Sequence, residues 1–150
     1  MNIILWRHAE AKFDVNDLAR ELTPKGKKQA SKMARILKSM LPEQTECWVS
    51  EAKRSQETAA FLPYIQKVCS ALNPEAHPMQ IAQLLLEIPN DKTVVIVGHQ
   101  PWLGQLCAFM LNQNWETSSY WAIKKAAFWW FEAEVVDEVF LAKLQSMRAP

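Results

Sequence analysis

Glycine is scarce in this chain, three residues in 150, and no tract of low complexity or internal repeat breaks it up. Flexible linkers are therefore not expected. At 49% hydrophobic residues the chain can bury one good core and is too short for two ordinary domains, so residues 1–150 read as one domain. Cysteine is also sparse. Cys47, Cys69 and Cys107 are odd in number and widely spaced among apolar neighbours, which excludes a disulfide framework and predicts free buried thiols in a reducing compartment. No apolar run approaches the roughly 18 residues of a membrane span, and no basic, apolar leader precedes Ile3. The expected location is the cytoplasm, away from membranes. Excess charge is lacking too: 17 Lys and Arg against 16 Asp and Glu leave a net +1, which gives no general attraction to nucleic acid. Any positive potential must come from a local cluster.

What the chain does contain is an alternation of strand-like and helix-like stretches. Asn2–Arg7 is a short apolar run of the kind buried on both sheet faces, and it ends in Arg7-His8. Thr23-Pro24 supplies an N-cap and a first-turn proline. Ala30, Met33, Ala34, Leu37 and Leu41 then share one helical face, and the helix is expected to end near Pro42. Its other face carries Lys25, Lys27, Lys28, Lys32, Arg35 and Lys38, read as a solvated surface, with docking of an acidic partner as the second reading. Cys47-Trp48-Val49 predicts a second strand ending at Ser50, followed by a helix over about 52–62 that Pro63 interrupts. Thr93–Val97 is the clearest buried strand. It ends in Gly98-His99, and a helix then starts around Pro101 with Leu103, Leu106, Cys107, Met110 and Leu111 on one face. Trp121–Ile123, Ala127–Ala133 and Val139–Leu144 are expected to close the sheet, the later ones as an antiparallel hairpin. The fold class that follows is α/β: a three-layer αβα sandwich with a mostly parallel central sheet and helices on both faces.

In such sheets ligands gather outside the carboxyl ends of the strands. That rule places Arg7 and His8 beside Ser50 and Arg54, and beside His99. Two guanidinium groups and two imidazoles suit a phosphoryl group, whose charge near neutral pH is about −1.5 to −2. An imidazole at a strand end can attack phosphorus while a guanidinium holds the oxygens.

Four blocks of the chain, in order, carry a resemblance. They are Arg7-His8-Ala9-Glu10-Ala11, Leu22-Thr23-Pro24-Lys25-Gly26, Ser50 with Arg54-Ser55-Gln56-Glu57-Thr58-Ala59, and Gly98-His99-Gln100-Pro101-Trp102-Leu103-Gly104. Together they resemble the histidine phosphatase superfamily, phosphoglycerate mutase-like, and within it the SixA-type phosphohistidine phosphatases. The resemblance implies that His8 is the nucleophile, that Arg7 and Arg54 bind phosphate, and that His99 sits beside the transferred group. It further implies that Asp17 and Arg20 join the network around the pocket; the other reading of that pair is a surface loop ion pair. It implies neither a cofactor nor a metal, and His77, read as a loop residue, has no partner at metal-ligand spacing. The implied partner is a phosphorylated protein or a small phosphate ester, with the chain as a monomer or weak dimer.

A phosphohistidine substrate fits what is missing. An alkoxide leaving group needs a general acid, whereas imidazole, with a reference pKa near 6.5, leaves readily. The stretch between Arg54 and His99 offers as carboxylates Glu57, Glu75, Glu87 and Asp91, none in a recognisable motif. Glu87, ahead of the Val94 strand, is the candidate acid among them, with a solvated loop position as its plainer reading. The family has glycine after Arg-His, and here stands Ala9. If that position needs a positive φ, alanine adds roughly 1–2 kcal/mol of strain. Small-molecule phosphomonoesterase activity, and a non-catalytic phosphate-binding module weakened by Ala9, remain the competing readings. Trp6 and Trp102 are placed to wall the pocket, Trp129-Trp130-Phe131 to pack on both sheet faces, and Lys124 and Lys125 to face solvent or an acidic phosphoprotein.

Overall fold

A computed structural model of the chain describes residues 1–115 and 121–150. Six strands form one sheet: β1 (Asn2–Arg7), β2 (Thr45–Val49), β3 (Gln66–Val68), β4 (Thr93–Gly98), β5 (Phe128–Val136) and β6 (Val139–Arg148). Their spatial order is β3-β2-β4-β1-β5-β6. The first four run parallel, and β5 and β6 are an antiparallel hairpin added at the β1 edge. Helices α1 (Pro24–Met40) and α2 (Lys53–Ala59) cover one face, and α3 (Pro78–Leu86) and α4 (Trp102–Asn112) the other. This is the expected three-layer sandwich.

Side-chain alternation on the central strands builds both cores. Ile3 and Leu5 of β1 join Val94 and Ile96 of β4 on the α3/α4 side, while Ile4 and Trp6 join Val95 and Val97 on the α1/α2 side. Both faces of β1 and β4 are dry, which is why these strands read as unbroken apolar runs. Trp129 and Phe131 pack on the first side and Phe128 and Trp130 on the second, so the aromatic cluster of β5 serves both layers. Cys47 and Cys107 are buried and Cys69 is partly so, all three as free thiols.

Local chemistry sets the element that follows the Arg7-His8 turn. Thr23 caps α1 by accepting from the Gly26 N–H at 2.9 Å, and its hydroxyl donates to Glu10 Oε2 at 2.8 Å. Such a cap stabilises a helix by about 1 kcal/mol. Gly26 is needed for a steric reason, because a Cβ there would lie 2.0 Å from the Glu10 carbonyl oxygen. The first turn of α1 therefore packs directly on the backbone that follows His8.

Four expectations need correction. The segment Trp121–Ile123 is irregular chain and not a strand, although Ile123 is buried. The helix after Ser50 spans only Lys53–Ala59, ending before Pro63 through the turns of residues 60–62. Strand β3 and helix α3 were not foreseen at all. His77 does not sit in a plain loop: it is the N-cap of α3, its Nδ1 accepting from the Met79 N–H at 3.3 Å. No helix among the described residues is long and apolar enough to cross a membrane.

Ala9 lies outside the left-handed region, which is occupied by Gln113, Ala126, Asp137 and Glu138. The strain that alanine would cause at a positive φ does not arise at Ala9. Ala126, at φ 62°, is the alanine that does bear it. Both are fully buried, so substitution by glycine separates the two situations. Ala9→Gly is expected to destabilise by about 1 kcal/mol through lost methyl packing and a freer unfolded chain. Ala126→Gly, relieved of its backbone strain, is expected to cost about 1 kcal/mol less than that, measurable as the difference between their urea midpoints.

Candidate active site

Strand register brings the site together. Arg7 pairs with Gly98, and Val49 and Trp6 both pair with Val97, so the next residues along, His8, Ser50 and His99, meet at adjacent carboxyl ends. The His8 and His99 rings lie with centroids 5.1 Å apart. Arg54, one turn into α2, reaches the same point from the side: its Nε donates to His8 Nε2 at 3.3 Å. The structure thus unites His8, His99 and Arg54, with Arg7 adjacent to His8 in the chain.

Each ring is held by one of its nitrogens. His8 Nδ1 is 2.8 Å from the carbonyl oxygen of Ala9. A carbonyl only accepts, so Nδ1 carries the proton and Nε2 keeps its lone pair. Ala9 is itself anchored, its N–H donating to Thr58 Oγ1 at 3.0 Å, while the Thr58 hydroxyl donates to the Arg54 carbonyl at 2.8 Å. The backbone of His8 is pinned at both groups: its N–H donates to Gly98 O at 3.1 Å, and its carbonyl accepts from the Ala126 N–H at 3.2 Å. His99 Nε2 lies 2.7 Å from Ser50 Oγ, which also accepts from the Ala52 N–H at 3.1 Å. His99 Nδ1 is buried and, among the described residues, has no hydrogen-bond partner.

The guanidinium groups are positioned by acceptors. Arg54 is 3% exposed, and a buried cation needs compensation. Asp17 provides it twice, its carbonyl accepting from Arg54 Nη1 at 2.7 Å and its Oδ2 from Nη2 at 3.1 Å. Asp17 opens a 3-10 turn over Asp17–Ala19, with Asn16 as its cap. Arg20 lies 3.6 Å from Asp17 Oδ1 and donates from Nε to Lys12 O at 2.8 Å. Asp17 is therefore more than half of a surface ion pair: it is the counter-charge of a buried arginine. Arg7 Nη1 donates to the Ile123 carbonyl at 2.6 Å.

Electrostatics follows from this burial. Desolvation, opposed by the Ala9 carbonyl and reinforced by Arg54 and Arg7, lowers His8 from 6.5 to about 3. Desolvation, with His8 and Arg54 adding repulsion, lowers His99 to about 2. Both imidazoles are neutral at physiological pH, so His99 is a neutral ring here and not an imidazolium. Arg54 is lowered by burial as well, a shift that Asp17 opposes.

The remaining candidates fall elsewhere. Glu87 is the C-cap of α3 and shares a surface concavity with Glu46, Trp48 and Pro89, near the start of β2 and away from the strand ends. Glu57 Oε1 accepts from the Leu22 N–H at 3.1 Å, a structural use. Trp6 is buried in the α1/α2 core and donates from Nε1 to Ala126 O at 2.8 Å, so it supports the loop behind His8 and forms no pocket wall. Trp102 does stand edge-on to His99, ring centroids 6.3 Å apart. Lys125 is exposed at 4.0 Å from Glu10, and Lys124 is exposed as well. Thr58 and the Ile123 carbonyl were missed as positioning groups. Thr58 was visible as a member of the Arg54 block, whereas a carbonyl acceptor leaves no mark in a sequence.

The family model for the histidine phosphatase superfamily (branch 1) matches residues 3–74. A phosphohistidine phosphatase SixA homolog from Haemophilus influenzae is 30% identical over 145 residues, covering 86% of this chain and 88% of that protein. Among solved structures, a SixA chain from Nakamurella multipartitia superposes with a TM-score of 0.81 at 24% identity, over 99% of this chain and 95% of that one. The protein histidine phosphatase SixA complexed with tungstate gives 0.80 at 22% identity, over 99% and 97%. These two likenesses speak for the fold, and the Haemophilus relative carries the kinship. With the family model, the shared fold and that relative in agreement, the chain belongs to the histidine phosphatase superfamily, in its SixA-type branch of phosphatases.

Proposed function

We propose that this chain, acting as one domain over residues 1–150, is a cytoplasmic protein phosphohistidine phosphatase that works through a phosphoryl group carried on His8. The observation that carries the proposal is the His8 tautomer, with Nδ1 committed to the Ala9 carbonyl and Nε2 left as a neutral nucleophile among arginines. The relatives named SixA support the substrate class, and a tungstate complex of one of them shows that such a pocket takes a tetrahedral oxyanion.

In the first step the Nε2 lone pair attacks phosphorus and the P–N bond to the substrate imidazole breaks. The leaving ring takes that electron pair and departs neutral if its other nitrogen bears a proton. Water then attacks the phosphoryl group on Nε2, and phosphate leaves with His8 restored. Arg7 and Arg54 hold the equatorial oxygens through the transition state. Ser50 Oγ, already accepting from Ala52, donates its own proton to His99 Nε2, which puts the His99 proton on Nδ1. That unpartnered N–H is a donor for a phosphoryl oxygen, and leaving it unsatisfied costs about 1–3 kcal/mol. Asp17 and Arg20 act on the pocket through Arg54.

The proposal is tested with wild type and His8→Ala on a histidine-phosphorylated protein and on a panel of phosphomonoesters. Wild type is expected to prefer the phosphohistidine protein, and His8→Ala to lose about 10³-fold or more of kcat. Acid-labile phosphate trapped on His8 in a rapid quench would show the intermediate. A large preference for sugar phosphates would identify a small-molecule phosphomonoesterase instead, and phosphate binding without turnover a non-catalytic module.

The neutral imidazoles carry a pH signature. Below pH 6.5 the unfolded chain protonates both histidines while the folded one does not until about pH 3 and 2, so the unfolded state binds more protons and stability falls as pH falls. Two such rings contribute a loss of up to about 3 kcal/mol between pH 6.5 and 5. Urea midpoints measured across that window are expected to drop steeply, and the slope to flatten in His8→Asn and His99→Asn variants. NMR of the phosphate-free protein should show neither ring titrating between pH 5 and 8.

A further inference from the structure

The loop that joins β1 to α1 holds apolar side chains out in water beside the pocket. Phe13 and Val15 are 86% and 95% exposed. The loop is nevertheless tied down: the Lys12 N–H donates to Glu21 O at 2.7 Å, the Asn16 N–H to Asp14 Oδ1 at 2.9 Å, and Arg20 Nε to Lys12 O at 2.8 Å. Single exposed apolar residues are ordinary on a protein surface. A pair held outward by a braced segment is different, because the bracing keeps both from folding back onto the core. The segment is also joined to the site through the Asp17–Arg54 bonds. Two residues separate Val15 from Asp17 and four separate Phe13, at most about 7 and 14 Å of chain.

Positive charge flanks this apolar pair. Lys53 donates to Glu21 Oε1, and Lys12 lies 4.0 Å from its other oxygen. Lys53 first, then Lys12 and Lys27, hold the Glu21 carboxyl below the usual carboxylate range, so three cations surround one anion. α1 continues the excess, since all its charged residues are Lys or Arg. In a chain of net charge +1 this is a segregated cationic surface, and its complement is acidic.

We propose that Phe13 and Val15, with Lys12 and Lys27 beside them, form the docking surface for an acidic protein that presents its phosphohistidine next to an apolar patch. The proposal rests on the phosphoprotein reading above and adds the surface that selects protein over small substrate. A folded domain entering the pocket phosphate-first lays the surroundings of its phosphohistidine on this loop. Free phosphohistidine has no such surroundings.

The test compares wild type, Phe13→Ser with Val15→Ser, and Lys12→Glu with Lys27→Glu on two substrates. One is a net-acidic protein domain carrying a single phosphohistidine made with phosphoramidate, and the other is free phosphohistidine. Both double variants are expected to lose about tenfold or more in kcat/KM on the protein, through KM, the loss matching one or two apolar contacts or ion pairs. On free phosphohistidine they are expected to stay within about twofold of wild type, which also shows that they are folded. Added salt should shrink the difference between wild type and the charge-reversed variant. Equal kcat/KM on the protein for wild type and both variants overturns the docking surface alone. Wild type that leaves the phosphoprotein intact while hydrolysing phosphomonoesters overturns the phosphoprotein reading, and the docking surface with it.

Discussion

The parallel pairing of β1 with β4, with Arg7 opposite Gly98, is the constraint on which everything at the pocket depends. It sets His8 beside His99, and through the β2–β4 pairing it sets Ser50 within bonding distance of His99. Hydrophobic alternation cannot specify this register, because both faces of both strands are apolar and a one-residue slip would bury much the same area. Polar bonds at the strand ends specify it. The Asn2 N–H donates to Lys92 O, the Met1 amine to Ala133 O, Trp6 Nε1 to Ala126 O, and the His8 backbone is bonded to Gly98 on one side and Ala126 on the other. A slip would break all of these at once, in a region where water cannot replace them. The accuracy of the site is thus a by-product of satisfying buried backbone.

Burial then sets the chemistry. The same exclusion of water that lowers both imidazoles also leaves Arg54 a poorly solvated cation, and one carboxylate, from the exposed Asp17, compensates it. The pocket therefore carries fixed positive charge on its guanidinium groups and none on its rings. That division suits an attack on phosphorus, since a protonated His8 would have no lone pair at Nε2, while the oxygens still meet cations that need no rearrangement. A tetrahedral oxyanion entering the site would supply the acceptors that Arg54 and His99 Nδ1 call for.

Much of this was readable in the chain, and for definite reasons. β1 and β4 are buried on both faces, so they appear as uninterrupted apolar runs, and each ends in a histidine that belongs to no apolar pattern. α1 starts with a threonine cap and a proline, and its apolar positions recur at helical spacing over 17 residues. β3 and α3 escaped because neither shows such a signal. β3 is three residues, Gln66-Lys67-Val68, at the sheet edge, too short and too polar to alternate. α3 opens on His77, an uncommon capping residue, and runs only nine residues, so its start and its period are both faint. Trp121–Ile123 misled in the other direction. Its apolar side chains are explained by burial of Ile123, while its backbone is occupied elsewhere: the Trp121 N–H donates to Gly104 O and the Ile123 carbonyl serves Arg7.

Ala9 shows where sequence reasoning stops and geometry has to take over. Glycine at such a position can mean a positive φ, a close backbone approach, or neither, and the letter alone does not say which. Here φ is not positive, the N–H is bonded to Thr58, the carbonyl holds His8 Nδ1, and the methyl is buried with Trp6, Leu22 and Ala30 in the α1/α2 core. What the site takes from this residue is its two peptide groups, which alanine and glycine supply alike. The close approach has moved to Gly26, where the α1 turn meets the Glu10 carbonyl with no room for a Cβ. The demand for a missing side chain is still present near the nucleophile, and a different glycine meets it.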